Sequence, residues 1–204
     1  ANVDAHVRAG KFAMEEQRWE ESFIAWGLVR RLHPSHKMAP LHLAQTLIAM
    51  NRPSAARPLL EEYVDGMDAQ SSCREKIFIA ELSLASGDPT LAASMLAPLQ
   101  LLIPKDDPLF IRHLRLLAVA LFASGEIKKG AAVSRKVLRH DSGCVASMHN
   151  LALAALKKNR YSIARGWVQR GLSVDPLDND LRRLRTKLLW EVLAEWVTKL
   201  LRKK

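Results

Sequence analysis

This chain is poor in the residues that usually carry chemistry. Its 204 residues include two cysteines, Cys73 and Cys144, and neither has a CxxC neighbour. That excludes a zinc ribbon, a thioredoxin-type redox pair and a disulfide-stapled scaffold. Both are read as free thiols, consistent with a reducing compartment, and the expected setting is cytoplasmic and bacterial. Aromatic residues are only 6 % of the chain and do not interleave with its basic clusters, so a stacking platform for single-stranded nucleic acid is missing. Apolar residues reach 49 %, yet no run approaches the roughly 20 residues of a membrane span. No HExxH, phosphate-binding glycine loop or nucleophile elbow occurs. His33 and His36 straddle Pro34 in a turn, and His140, Cys144 and His149 lack zinc-like spacing. Nothing assembles an acid, a base and a nucleophile, so the expectation is no enzyme, no cofactor and no metal.

What the chain does have is a recurring pattern, clearest from Val145 to Asp178. Two helical apolar stretches, Met148–Leu156 and Ile163–Val174, flank a polar turn at Lys157–Arg160. Ala152 and Ala164 are small where the two helices must cross closely, and Asp175–Pro176 closes the unit. The same unit can be laid over the rest of the chain. The small residue of the first helix recurs as Gly10, Ala44, Ala80, Ala118 and Ala152, in steps of 34, 36, 38 and 34 residues. That of the second helix recurs as Ser22, Ala56, Ala92, Gly130 and Ala164, in the same steps. Two positions that step together, irregularities included, point to true repetition.

A helix–turn–helix unit of 34 residues with small crossing residues resembles the tetratricopeptide repeat. The resemblance implies an all-α solenoid, a right-handed superhelix of five repeats in a single domain over 1–204. Their bounds are about 3–36, 37–72, 73–110, 111–144 and 145–178, and an amphipathic basic helix over 179–204 follows. The extra residues of the longer steps fall around Gly66–Ser72 and Lys105–Phe110, between repeats, where they become loops. Asp88, Asp107 and Asp178 read as N-caps. Pro58 and Pro98 fall inside second helices and should bend or open them.

In this family the first helices line a concave groove that holds a peptide. Carried over residue by residue, the groove-facing positions are Arg8, Lys11, His42, Gln45 and Arg74, then Arg112, Arg115, His149, Asn150 and Lys157. Asn150 stands where the family often has an Asn on ligand backbone. The set is mostly basic, so an acidic or amphipathic segment of another protein is the expected ligand. The family's carboxylate clamp is not reproduced, because Val7 and Leu41 stand where a Lys or Asn would be needed. A scaffold, adaptor or assembly-chaperone role, secretion chaperones included, is what the resemblance implies.

The net charge is +10. Clusters at Lys128–Arg139 and Lys157–Arg170 could bind nucleic acid, but without stacking residues or a known module a solvated basic face is favoured. The last helix places Leu184, Leu188 and Val192 to cover the fifth repeat. A second stripe, Leu189, Leu193, Trp196, Val197 and Leu201, is left over. Its favoured use is contact with a second copy or a partner; its Lys, Arg and Trp residues also permit peripheral contact with an anionic membrane.

Overall fold

The computed structural model describes residues 2–68 and 71–201, with backbone alone for Val192 and residues 194–201. The described residues form helices, turns and loops, with no strand. The helices pair as the repeats predict. α1 (Val3–Glu15) pairs with α2 (Trp19–Leu32), α3 (Ala39–Ala49) with α4 (Pro53–Asp65), and α5 (Cys73–Ala85) with α6 (Pro89–Leu96). The short α7 (Leu99–Leu102) follows. α8 (Pro108–Ala123) pairs with α9 (Ile127–His140), α10 (Val145–Leu156) with α11 (Tyr161–Val174), and α12 (Asn179–Leu201) comes last.

Local chemistry sets these limits. Side chains of Asn2, Ser72, Asp88, Asp107 and Asp178 accept hydrogen bonds from the first-turn N–H groups of the helices they precede, at 2.7–3.3 Å. Pro53, Pro89 and Pro108 occupy first helical positions, where no donor is needed. Each turn within a pair contains one residue in the left-handed region: Gln17, Asn51, Gly87, Gly125 and Asn159, with φ of 56°, 58°, 80°, 85° and 53°. Their steps are again 34, 36, 38 and 34. The N–H that follows the left-handed residue returns to a carbonyl of the preceding helix in four of the turns, as from Arg18 to Ala13 at 2.8 Å.

All ten small crossing residues are buried. Two glycines among them are required by a ring on the opposite helix. A Cβ on Gly10 would meet Trp26, and one on Gly130 would meet Phe122, each at 2.7 Å. Ser22 is kept polar by a partner. Thr46 Oγ1 donates to the His42 carbonyl at 2.8 Å, so Ser22 Oγ donates to Thr46 across 2.9 Å and ties α2 to α3.

The contacts gather into two compact units, Ala1–Leu102 and Ile103–Lys204. Within each, consecutive helices pack together and first helices of neighbouring pairs also touch: α3 with α5, α8 with α10, α10 with α12. The first unit is built on Trp26, Val29, Leu60 and Ile79. Its buried Asp88 also pairs with Arg57 on α4 at 3.1 Å. The second ends in a cluster of Ala152, Ala164, Val168, Leu181, Leu184 and Leu188, so α12 does cover the last pair. Gly171 lets it approach, since a Cβ there would lie 2.4 Å from Leu181.

The two prolines behave differently. Pro98 ends α6 after Leu96, and a separate turn of helix buries Leu99. Pro58 does not open its helix, because α4 runs unbroken from Pro53 to Asp65. The first helix of the fourth pair begins at Pro108, where the Asp107 cap expected from the sequence sets it, three residues ahead of the approximate repeat bound at 111.

Candidate interaction surfaces

In the first unit, the expected groove residues His42 and Gln45 are hydrogen-bonded beside a buried ring, and Lys11 acts on His42 through its charge. Trp26 is fully buried and its Nε1–H has no acceptor among the described residues. The His42 ring stacks on it with centroids 4.2 Å apart. His42 Nδ1 lies 2.8 Å from Gln45 Oε1, a contact in which the ring N–H donates to the amide oxygen. Burial pushes the pKa of His42 below its ordinary 6.5. The Gln45 hydrogen bond opposes this, and the positive fields of Lys11 and His36 reinforce it. A neutral His42 with Nδ1 committed to Gln45 leaves Nε2 as an acceptor. Arg8 on α1 and Arg74 on α5 are exposed.

In the second unit the structure shows a cleft of about 540 Å³ between α8 and α10, closed on one side by Lys187 of α12. Val119, Phe122, Ala123 and Ile127 line it from one helix pair, and Asn150, Leu153, Leu156 and Lys157 from the next. Val119 is 44 % exposed and Leu153 37 %, so apolar surface faces solvent between polar rims. Of the expected residues, Asn150 and Lys157 are in this cleft. His149 is half-buried on α10 and Arg112 exposed on α8. Arg115 is ion-paired with Asp141 in the α9–α10 loop, which holds its guanidinium charged. Asp141 therefore takes part of the guanidinium's hydrogen-bonding capacity, while the Arg115 side chain stays about half exposed.

The apolar lining of the cleft escaped the sequence reading, which sought polar groove positions. The signal was there: from Leu114 to Ala123, α8 is apolar on every side except Arg115. A helix apolar all round is either wholly buried or covered by something else.

On α12, Leu189 and Leu193 are 56 % and 52 % exposed. Trp196, Val197 and Leu201 of the same stripe have side chains outside the described residues. Cys73 is half-buried, Cys144 buried, and both are free thiols. No cluster of three or more His, Cys, Asp or Glu side chains suited to a metal occurs among the described residues. No helix among the described residues is long and apolar enough to cross a membrane.

The sequence matches no protein-family model and no curated protein. Solved structures match by shape. YrrB, described as a TPR protein with an unusual peptide-binding site, superposes with a TM-score of 0.72 at 11 % identity, covering 91 % of this chain and 92 % of that one. A crystal structure of MamA gives 0.65 at 15 % identity, covering 85 % and 92 %. A putative kinesin light chain of Podosopora anserina with nearly identical TPR-like repeats gives 0.60 at 16 %, covering 84 % and 94 %. Together with the paired helices, their buried small residues and their turns in common register, these likenesses give the chain the tetratricopeptide-repeat fold.

Proposed function

We propose that residues 1–204 form one repeat domain that works as a non-catalytic protein–protein interaction scaffold, an adaptor or assembly chaperone. It takes an acidic or amphipathic segment of a partner against its first helices. The observation that carries this reading is the cleft between α8 and α10, where exposed apolar walls are rimmed by Asn150, Lys157 and Lys187. Such a site suits a segment that offers one bulky apolar side chain flanked by carboxylates. Burying that side chain contributes roughly 1.5–3 kcal/mol, and Asn150 can pair with its backbone. The first unit, taken by itself, offers polar contacts to a peptide through Lys11, the His42 Nε2 acceptor and the exposed Arg8 and Arg74. The fold shared with YrrB, whose description names a peptide-binding site, supports the same use here.

The test is site-specific photo-crosslinking from position 153 in cell extract, with the captured protein identified by mass spectrometry. Its binding is then measured against Leu153→Asp, Asn150→Ala and Lys157→Glu. We expect a partner with an acidic, apolar-anchored segment, and a loss of at least tenfold for Leu153→Asp. A partner that binds all three variants as well as the unaltered chain would end this reading.

A further inference from the structure

The positive charge is confined to one unit. The first carries 10 Lys and Arg against 12 Asp and Glu, a net of −2; the second carries 21 against 9, a net of +12. Within the second unit the lysines are concentrated at the edge made by the turns of its helix pairs. Lys128 and Lys129 open α9, and Lys157 and Lys158 close α10; all four surround one depression. Lys157 also borders the cleft between α8 and α10, and Lys187 on α12 borders it from the other side. Lys187 in turn shares a surface depression with Arg183 and Trp190. Basic residues thus recur from the α9 turn to α12, with Glu126 and Glu191 lining the first and last of these depressions. Lys129 pairs with Glu126. Lys128, Lys157, Lys158 and Lys187 have no acidic partner among the described residues.

This strip leads to apolar surface. The last described side chain of α12 buried on the fold is Leu188. Beyond it Leu189, Trp190 and Leu193 are 56 %, 69 % and 52 % exposed. Exposed Leu and Trp beside unpaired lysines is a specific combination. A second copy is disfavoured as its cover, because a symmetric contact would bring two units of net +12 together. A nucleic acid would neutralise the lysines and gain nothing from Leu189 and Leu193. An anionic bilayer satisfies both demands, since its headgroups carry negative charge and its interfacial zone accepts Leu and Trp side chains.

We propose that the turn edge of the second unit, with Leu189, Trp190 and Leu193 of α12, docks on the surface of an anionic lipid bilayer. α12 lies in the interfacial plane, its two leucines and tryptophan entering the headgroup–acyl boundary. The lysines of the α9 and α10 turns engage lipid phosphates. The lysine edge meets the groove at Lys157 and Lys187, so a partner held in the cleft would be presented beside the membrane.

Vesicle co-sedimentation of the full chain tests this, comparing phosphatidylcholine alone with phosphatidylcholine containing about a third phosphatidylglycerol, across about 50 to 500 mM salt. Binding should require the anionic lipid and weaken as salt rises. The exposed-surface variants K128E/K129E/K158E and L189Q/W190Q/L193Q should each lose roughly tenfold or more. Ile24→Gln, at an exposed position of α2 in the first unit, should bind vesicles as the unaltered chain does. Circular dichroism and melting curves confirm that each variant is folded. Quenching of tryptophan fluorescence by brominated acyl chains should fall in W190F. Equal binding to both vesicle types, no binding at low salt, or full binding by either triple variant overturns the proposal. So does a dimer in analytical ultracentrifugation that only the α12 variant dissolves. RNA retention that the lysine variant loses, while vesicle binding stays absent, overturns it too.

Discussion

A Cβ added to Gly10 would fall 2.7 Å from the indole Nε1 of Trp26, inside the closest approach that packed atoms tolerate. Trp26 is fully buried and stacked on His42, so its ring has nowhere to go. The smallness of Gly10 is therefore demanded by a residue on the partner helix.

Gly10→Ala should accordingly destabilise the fold by about 1–3 kcal/mol despite the better helix propensity of alanine. Gly166→Ala makes the contrasting case. Nothing lies within 4 Å of a Cβ at that position on α11. There the change should stabilise by roughly 0.5–1 kcal/mol. Chemical denaturation of both variants, read by circular dichroism, checks the pair; loss of stability in both would refute the explanation.

The left-handed turn residues make a second pair of expectations. Asn159→Gly, at φ 53°, should be neutral or stabilising by a few tenths of a kcal/mol up to about 1. Gly87→Val, at φ 80°, should cost about 1–2 kcal/mol or more, although no neighbour crowds it. Melting temperatures of the two variants decide whether backbone geometry is the governing factor.

The fold and its register were legible because crossing glycines and alanines are a packing requirement that shows in the letters. Ten buried positions were placed from spacing alone. Caps at Asp88, Asp107 and Asp178 were legible for a similar reason, since each satisfies orphan N–H groups locally. The candidate sites were less so. Whether an arginine faces a ligand or a neighbour depends on a residue far along the chain, and Arg115 is held by Asp141, 26 positions away. The apolar lining at Val119 and Leu153 could not be told from core by pattern, because core and cleft use the same side chains. Pro58 looked disruptive, yet its helix continues, since helix integrity depends on packing as well as on one lost donor.

Titration of His42 should be visible in stability. Its pKa in the fold is depressed below 6.5, chiefly by burial, so the unfolded chain binds the proton more readily. The favourable contribution is complete above pH 6.5 and is lost as pH falls through the folded pKa. Tyr63 acts at the other end. Its hydroxyl is pushed up to about 12 by burial and by its 2.7 Å hydrogen bond to Glu75. Its stabilisation is full below pH 10 and disappears as pH rises towards 12. Denaturation midpoints measured from pH 5 to 8 should flatten in His42→Gln, and those above pH 9.5 in Tyr63→Phe, both windows following from the linkage of proton binding to folding.

Leu181 should be the residue on which cover of the last pair most depends. It is fully buried against Ala164 and Val168. Leu181→Ala removes that contact and should cost about 2–5 kcal/mol. Leu189→Ala, on the exposed stripe, should change stability by less than about 0.5 kcal/mol. Equal losses in the two variants would mean that the exposed stripe also packs on the fold.

Within every pair the left-handed residue stands seven positions after the first small residue and five before the second, whatever the length of the joint to the next pair. Length variation is thus admitted at the joints and refused inside the hairpins. A foreign epitope or fluorescent tag grafted between 105 and 106 would extend a joint that has already absorbed additional residues, leaving the Asp107 cap and each hairpin's geometry untouched. The same graft at 86–88 would separate two crossing residues that must stay twelve positions apart.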